Sequence, residues 1–475
     1  MQFLARIRRR RVLVGVVVLS AALTTPAAAL VRTGWAPPTS PVQATATPSC
    51  TAGSPCVTVD ATRILGPVDL VAQGFLLGVA PSSDPATITA LRPTSWRLAG
   101  DATNYAVARA SGATVTEILS NQWPGTQGPW DDWSGYAQWV RQTVTASISS
   151  GEVPDYWEIQ NEPDSMIGNQ PVETTAQALY QYQLASSVIR SVDPLAKIEG
   201  PSLLGYFDTP GQSTVDMATF LAFVNAHQLP LDALSWHEVI GPAVERSPAA
   251  VVSDVRRARA LLSQYPAYAG VPIFINEYSP KDTHLIPGWA VGWMDSLEAA
   301  GVAEATVGCW HELDASARMI SECAEGGLDG LLQPGSGQPQ DLYWVHSAYA
   351  QMTGERVATS STDPNISAYA TYDAAAGTIQ VLIGRHVSCT RAVRTECSQP
   401  ASATPAPEPV TLRVKAPTGW TVLDASSQRI PNVPGPMASP PSTDHGLFLA
   451  PQISIPLAGG RFADGDAYAL KLTGL

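Results

Sequence analysis

Short apolar runs recur along the first three quarters of the chain, and the spacing between them predicts the fold. Between the later runs, apolar positions return at helical spacing, as at Met217, Phe220, Leu221 and Val224. Strands that recur every roughly 35–40 residues with amphipathic helices between them are typical of parallel βαβ units, and eight such units favour a TIM barrel. The eight predicted strands are 74–80, 95–100, 113–120, 156–160, 196–202, 232–238, 272–278 and 304–312.

After about residue 356 the pattern changes to short alternating runs such as ISAYATYD and TIQVLIG, separated by Gly, Pro, Asn and Asp. Such runs predict an antiparallel β-sandwich. The early run at 56–65, CVTVDATRIL, is a further strand candidate, and a resemblance to proteins whose accessory β-domain includes an N-terminal segment implies that it joins this sandwich. The predicted fold is therefore an α/β protein, a (β/α)8 barrel at 68–355 with a C-terminal β-sandwich at 356–475, and with a strand at 56–67 that pairs with the sandwich.

The N-terminus has the composition of an export signal. Five arginines within residues 6–11 precede an apolar run from Val12 to Leu23, and small residues follow up to Ala29. Residues 1–30 are accordingly predicted to be a signal peptide and 31–55 a flexible lead-in. An uncleaved membrane anchor is the alternative. With the signal removed, the protein is expected to be soluble and extracellular.

Cysteine spacing and charge exclude several classes of protein. The six cysteines fall into three close pairs, which predict local disulfides in an exported protein: Cys50 with Cys56, Cys309 with Cys323, and Cys389 with Cys397. No metal site is predicted, because no histidine pair has ligand spacing. A net charge of -13 argues against a nucleic-acid partner. Phosphate-loop, dinucleotide and nucleophile-elbow motifs are absent from the sequence, and no cofactor is expected.

Two glutamates carry the candidate chemistry. Glu162 follows the fourth predicted strand, and Glu277 lies near the end of the seventh. In a TIM barrel both positions belong to the C-terminal face, where catalytic groups lie. Two carboxylates at one cleft are what glycosidic-bond hydrolysis requires. Mutual repulsion and partial burial are expected to separate their pKa values, which would leave one neutral acid and one ionised nucleophile.

At these residues the chain resembles a known family. Asn161-Glu162-Pro163, together with Asn276-Glu277-Tyr278, resembles the retaining glycoside hydrolases of clan A. The likeness is greatest to family 39, the β-xylosidase and α-L-iduronidase family, with families 79 and 51 as near neighbours. It spans about residues 68–355. The resemblance implies Glu162 as the acid/base and Glu277 as the nucleophile.

The same resemblance implies further site residues. Asn161 would bind the 2-hydroxyl of the sugar, Arg97 would lie beside the nucleophile, and His237 and Trp310 would line the site. The sequence departs from the family at Val239, where a tyrosine that contacts the nucleophile is common. Tyr278 or another tyrosine is a candidate substitute.

Two tryptophans in the loop after the third predicted strand are candidate sugar platforms. Trp123 and Trp130 are surrounded by glycine and proline, which favours an exposed loop. Packing of these rings against a helix is the plainer alternative. Other glutamates lie on the predicted strands, among them Glu158 and Glu199. They are structural ion-pair partners, or site residues if the strand register differs from the predicted one.

The sequence therefore predicts a secreted retaining glycoside hydrolase that acts on a carbohydrate without metal or cofactor. Two alternatives stay open: a non-catalytic carbohydrate-binding protein on a degenerate barrel, and a transglycosylase that uses the same glutamates. The sequence leaves open the sugar, exo or endo action, and the oligomeric state.

Overall fold

The computed structural model describes eleven segments of the chain: 54–80, 83–124, 129–164, 166–167, 170–171, 174–239, 247–313, 319–321, 327–388, 405–433 and 435–475. The predicted signal peptide and nearly all of the lead-in lie outside the described residues. No helix within these segments is both long and apolar enough to cross a bilayer.

Eight parallel strands close into a barrel, as the apolar runs predict. The strand β1 (Cys56–Pro67) comes before it. The barrel strands are β2 (Gly74–Leu76), β3 (Ser95–Leu98), β4 (Thr114–Ile118), β5 (Tyr156–Glu158), β8 (Ile198–Leu203), β9 (Ala233–Glu238), β10 (Ile273–Tyr278) and β11 (Glu304–Val307). Two short hairpins interrupt the series, β6 (Met166–Ile167) with β7 (Gln170–Pro171), and β12 (Glu312–Leu313) with β13 (Met319–Ser321).

Helices cover the outside of the barrel, and local sequence fixes where they start and stop. Asp101 caps the second helix by accepting bonds from two backbone N–H groups, and Gly112 ends that helix in the left-handed region. Thr174 and Gln177 form a capping box on the fourth. The helices are α1 (Pro85–Ala90), α2 (Ala102–Ser111), α3 (Trp133–Ser150), α4 (Thr175–Val192), α5 (Met217–His227), α6 (Ala250–Leu262), α7 (Pro287–Ala300) and α8 (Asp341–Ala350).

The C-terminal part forms one curled sheet of nine strands with its own apolar core. Strand β1 joins this sheet rather than the barrel, since it pairs antiparallel with β14 and parallel with β17. The other strands are β14 (Glu355–Ser361), β15 (Ile366–Asp373), β16 (Thr378–Arg385), β17 (Glu408–Lys415), β18 (Val422–Ile430), β19 (Ser442–Leu449), β20 (Gln452–Phe462) and β21 (Ala467–Gly474).

The sheet packs directly on α7 and α8 of the barrel. Gly288 in α7 donates its backbone N–H to Gly465 O at 2.8 Å. The backbone of Arg385 lies so close to Gly288 that a Cβ there would clash with it. Leu382, Ile430 and Ala467 of the sheet belong to the same buried cluster as the barrel interior. The seam between barrel and sheet is therefore a packed core.

Of the six cysteines, the described segments contain Cys56 and Cys309, and both are disulfide-bonded. Cys50, Cys323, Cys389 and Cys397 lie outside the described residues, so the predicted pairing stays a prediction.

Candidate active site

The two glutamates meet at the C-terminal mouth of the barrel. Glu277 lies in β10, and Glu162 lies in the turn after β5. Glu162 has a backbone φ of 50°, a left-handed conformation that a non-glycine residue adopts at a cost of about 1–3 kcal/mol. Its N–H donates to Ser202 O at 2.9 Å. Pro163, which cannot continue a strand ladder, follows at once. The sequence Asn-Glu-Pro therefore ends the strand in a turn, and this turn directs the Glu162 carboxylate away from the strand end.

A buried histidine joins the two carboxylates. His237 Nδ1 lies 2.9 Å from Glu162 Oε1 and 3.8 Å from Glu277 Oε2. One atom from each of the three side chains lies within 4.8 Å of the other two. The closest carboxylate oxygens of Glu162 and Glu277 therefore lie within 4.8 Å of each other, a close approach that is compatible with the roughly 5–5.5 Å between the carboxyl groups of retaining enzymes. The side chain of Glu162 is 23% exposed and that of Glu277 is 12% exposed, so Glu162 is the more accessible.

Arg97 on β3 fixes Glu277 from the barrel side. Its Nη1 donates to Glu277 Oε1 at 2.6 Å. Its Nε and Nη2 donate to Glu158 at 2.6 and 2.5 Å, and Nη2 also reaches Asn161 Oδ1 at 2.6 Å. Burial alone would lower the pKa of Arg97, but the charge of Glu158 and its hydrogen bonds outweigh this and raise it. Arg97 is therefore a permanent cation with rigid geometry.

The barrel interior below Arg97 is polar and closely hydrogen-bonded. Asn276 Nδ2 lies 3.0 Å from both Glu158 Oε2 and Glu199 Oε1, and 2.8 Å from Ser202 Oγ. Burial, and then the charge of Glu158, raise the pKa of Glu199 well above its usual range. Arg97 forms ion pairs with two carboxylates, those of Glu158 and Glu277. Glu158 and Glu199 are thus structural partners beneath the site, as the sequence allowed.

The histidine reverses one expectation about Glu162. Burial would raise the pKa of this carboxyl, but the hydrogen bond from His237 and its charge outweigh burial and lower it. In the same way, burial would lower the pKa of His237, but Glu277 and the hydrogen bond to Glu162 raise it. Both shifts favour an ionised Glu162 beside a protonated His237 in the free site, which is the opposite direction from the expected neutral acid.

The structure does not bring Tyr278 to the carboxylates. Its hydroxyl donates to Ala72 O at 2.7 Å, and its ring packs on Trp293 of α7 with centroids 5.8 Å apart. The register of β10 shifts between Ile275 and Glu277, so Tyr278 faces the helix layer. The prediction of Tyr278 as a substrate-binding residue is wrong. Position 239 is a buried valine. Neither position 239 nor position 278 therefore supplies a phenol to the site.

Three tryptophans predicted to line the site have other contacts. Trp310 follows β11 and donates its indole N–H to Ser279 O at 3.1 Å, just beyond Tyr278. Trp123 packs edge-on against Tyr136 and Trp139 of α3, at 5.4 and 5.3 Å. Trp130 packs against Trp133 at 5.7 Å. Trp123 and Trp130 are thus half-buried against aromatic residues of α3, as the packing alternative holds, and their role as sugar platforms stays a prediction.

Two buried carboxyls near the site carried no signal in the sequence. Asp164 Oδ1 accepts the N–H of Leu204 at 2.8 Å, and Oδ2 lies 3.3 Å from Ser213 Oγ. Burial raises the pKa of Asp164 to about 6. Asp329 Oδ2 accepts the N–H of Leu76 at 3.0 Å, and burial raises its pKa well above the usual range. Neither residue lies on a predicted strand, so strand periodicity could not find them.

Glu162, His237 and Glu277 also have the spacing of metal ligands. Two carboxylates and an imidazole nitrogen form a plausible set for a divalent ion. The geometry is equally that of a charge-assisted hydrogen bond from a protonated histidine. The expectation that the protein needs no metal therefore stays a prediction.

Comparison with solved structures shows the fold. Neither the family models nor the curated proteins contain a match to this chain. A Neocallimastix frontalis protein aligns with a TM-score of 0.71 at 20% identity, and the alignment covers 89% of this chain and 100% of the other. A glucosidase from Croceicoccus marinus gives 0.62 at 16%, and covers 88% and 99%.

A monomeric β-xylosidase from Caulobacter crescentus gives a TM-score of 0.60 at 16% identity, with 88% of this chain and 99% of that chain covered. At these identities the comparisons establish fold rather than activity. The fold, a closed barrel with an attached curled sheet that is consistent with the predicted β-sandwich, is similar to that of these solved structures, among them family 39 enzymes.

Proposed function

We propose that the protein is a retaining glycoside hydrolase that cleaves O-glycosidic bonds, with Glu277 as nucleophile and Glu162 as acid/base. One observation carries the proposal: two carboxylates at the barrel mouth approach each other within 4.8 Å and share one buried histidine. This spacing belongs with direct attack by a carboxylate rather than with attack by a water held between two carboxyl groups.

The contacts around Glu277 assign different roles to its two oxygens. Oε1 is occupied by Arg97 at 2.6 Å. Oε2, 3.8 Å from His237 Nδ1, is the oxygen left for attack on the anomeric carbon. The ion pair with Arg97 holds the Glu277 carboxylate in a fixed orientation. Asn161 has its carbonyl oxygen on Arg97, and its amide N–H groups would therefore be directed to a sugar hydroxyl.

The reaction then follows in two balanced steps. In the first, Glu277 Oε2 bonds to the anomeric carbon while the glycosidic C–O bond breaks and Glu162 gives its proton to the leaving oxygen. In the second, water attacks the anomeric carbon, Glu162 takes the proton of that water, and the bond to Glu277 breaks. For the first step Glu162 needs a proton, which His237 Nδ1 can supply across 2.9 Å.

The substrate class proposed is a β-linked pentoside or hexoside in an oligo- or polysaccharide. The resemblance to family 39 and the fold shared with a glucosidase and a β-xylosidase support this class. Hydrolysis of aryl β-xyloside, α-L-arabinofuranoside, β-glucoside, β-galactoside and β-glucuronide by the wild-type protein would identify the sugar. Products longer than the substrate would instead indicate a transglycosylase.

The decisive variant is Glu277→Ala, with Glu355→Ala as the matched control because Glu355 is exposed on β14. We expect turnover to fall at least about 10⁴-fold in Glu277→Ala and to stay unchanged in Glu355→Ala. Azide should restore turnover in Glu277→Ala with inverted product stereochemistry. Wild-type turnover in Glu277→Ala would remove this residue from catalysis. A wild-type protein that binds oligosaccharide but releases no product, even from polysaccharide, would support the degenerate-barrel alternative.

Export and three local disulfides are part of the same proposal. The arginine-rich, apolar N-terminus supports export, and the bonded state of Cys56 and Cys309 fits an oxidising compartment. Mass spectrometry of the exported protein tests both. A chain that begins near residue 30, with the three neighbouring pairs linked, is expected; an intact N-terminus would indicate an anchor.

A further inference from the structure

The seam between sheet and barrel is apolar at one end and polar at the other. Cross-strand partners in the sheet face the same side, so the register decides which side chains are turned toward the barrel. At the apolar end these are Leu382, Ile430 and Ala467, which lie in the barrel's buried cluster. Further along the same face the side chains become polar, and the sheet and α8 enclose a crevice of about 320 Å³.

Pairing across three neighbouring strands builds the polar floor of this crevice. Lys471 on β21 pairs with Gln380 on β16 and with Ser426 on β18, so the three form one row. In the next row on that face, Ala469 pairs with Leu382 and with Gln428. The rows lie side by side on neighbouring strands, so strand pairing fixes the backbone positions from which these side chains extend.

Helix α8 supplies the opposite wall. Trp344 lines the crevice, and its indole N–H donates to Met437 O at 2.8 Å, which fixes the orientation of the ring. Gln351, at the C-cap of α8, turns its amide N–H groups back to Ser347. The amide oxygen of Gln351 and the indole ring of Trp344 therefore lie on the side of the crevice opposite the polar rows.

Four polar side chains on the floor are open to solvent, since Ser426, Gln428 and Lys471 are exposed and Gln380 is half-buried. Within the described segments, the side chains of Gln380, Ser426, Gln428 and Lys471 make no hydrogen bond or ion pair to another residue. Amides and hydroxyls that converge on a crevice without saturating one another can satisfy a ligand that both donates and accepts.

We propose that this crevice, the seam site, binds a saccharide at a position separate from the carboxylates. Paired amide and hydroxyl groups match vicinal sugar hydroxyls, and an oriented indole offers an apolar face to a sugar ring. Among the described residues, the lining includes one cation, Lys471, and no carboxylate, although Asp444 on β19 pairs with Ser426 at its edge. In a chain of net charge -13, this lining accommodates neutral or acidic sugars and does not suit a metal ion. None of the lining residues contacts Glu162 or Glu277, so the proposal does not depend on catalysis.

The test is equilibrium binding of a xylo-oligosaccharide and of its glucuronic-acid-substituted form to the Glu277→Ala protein. The variants are Gln428→Ala and Lys471→Ala, singly and together. The matched control is Gln452→Ala, an exposed glutamine on β20 of the same sheet. Equal thermal midpoints establish that all the variants are folded, which is expected for exposed positions.

We expect two saccharides per chain in the parent and the Gln452→Ala control, and one in the double variant, with about tenfold weaker binding at the seam site in each single variant. Lys471→Ala should weaken the acidic ligand more than the neutral one. The seam-site proposal is overturned if the double variant binds as many saccharides per chain as the parent. If the carboxylate site does not bind saccharide, the parent should bind one saccharide per chain and the double variant none. The result for the seam site can therefore be distinguished from the result for the carboxylate site.

Discussion

At the scale of single residues, the site depends on a small number of buried charges arranged around one proton. Arg97 balances Glu158 and Glu277, and His237 bridges Glu277 to Glu162. Each of these contacts crosses from one barrel strand or its following loop to another. Removal of one partner therefore leaves a buried charge without compensation, which is costlier than the loss of one hydrogen bond.

His237 makes the stability of the protein depend on pH in a definite direction. Its pKa is raised in the folded state, so the protonated histidine stabilises the fold fully below its unfolded pKa, and this contribution is lost as pH rises through the folded pKa. Glu162 acts at the other end, since its lowered pKa gives stability that is lost only as pH falls through the folded value.

We expect His237→Gln to reduce the free energy of unfolding more at pH 6 than at pH 9.5. Urea unfolding of wild type and variant at both pH values measures the difference. The matched control is His227→Gln, a change on the outer helix α5, which should show no such contrast. An equal loss at both pH values for His237→Gln would mean that the histidine is neutral in the folded protein.

At the scale of elements, the sequence predicts strands well because parallel strands are buried on both faces and therefore read as apolar runs. All eight predicted barrel strands are confirmed, and the helices at Met217–His227 and Ala250–Leu262 bury the predicted apolar positions. Tyr278 was misplaced because a register shift in β10 cannot be read from alternation. The tertiary contacts of Asp164 and Asp329 come from loops, whose paths periodicity does not encode.

The turn after β5 is an element whose strain needs support from its neighbours. Glu162 has a positive φ, and Asp164 ties the same turn to the loop after β8 through Leu204. We infer that Asp164 is a positioning residue for Glu162. A change that removes its acceptor oxygens should let the turn relax and move the acid away from the leaving group.

Asp164→Ala should lower kcat about 10–100-fold with little change in KM, while Asp164→Asn, which keeps an acceptor for the Leu204 N–H, should retain most of the activity. Because burial raises the pKa of Asp164 from its usual 3.8 to about 6, the folded wild type should lose stability as pH rises from about 4 to about 6, with no further loss above that. Asp164→Asn should lack this loss. Steady-state kinetics, and unfolding measured between about pH 4 and 8, test the two expectations. Equal loss of kcat in the two variants would contradict a positioning role.

At the scale of the whole molecule, barrel and sheet are joined by side chains from both, so the sheet is part of the structure that holds the site. Strand β1 crosses into the sheet before the chain enters the barrel, and α7 follows directly after β10, which carries Glu277. The joining of the extra strand to the sheet was predicted from the resemblance to a known family, and the pairing of β1 with β14 and β17 confirms it. The close packing of the sheet against α7 was not predictable from the sequence. It depends on Gly288, and the need for glycine there is visible only once the backbone of Arg385 is in place.

Gly288→Ala should therefore destabilise the whole protein rather than α7 alone. Alanine ordinarily stabilises a helix relative to glycine by about 1 kcal/mol, but here the added methyl group meets the backbone of Arg385 across the seam. We expect the free energy of unfolding to fall by about 2–4 kcal/mol, because the clash with a rigid backbone outweighs the higher helix propensity of alanine. Gly270→Ala is the control, because a Cβ there has open space. Differential scanning calorimetry should show one transition that moves to lower temperature in Gly288→Ala, with activity lost in step. Two separated transitions, with only the sheet unfolding early, would mean that the barrel keeps its site without the sheet.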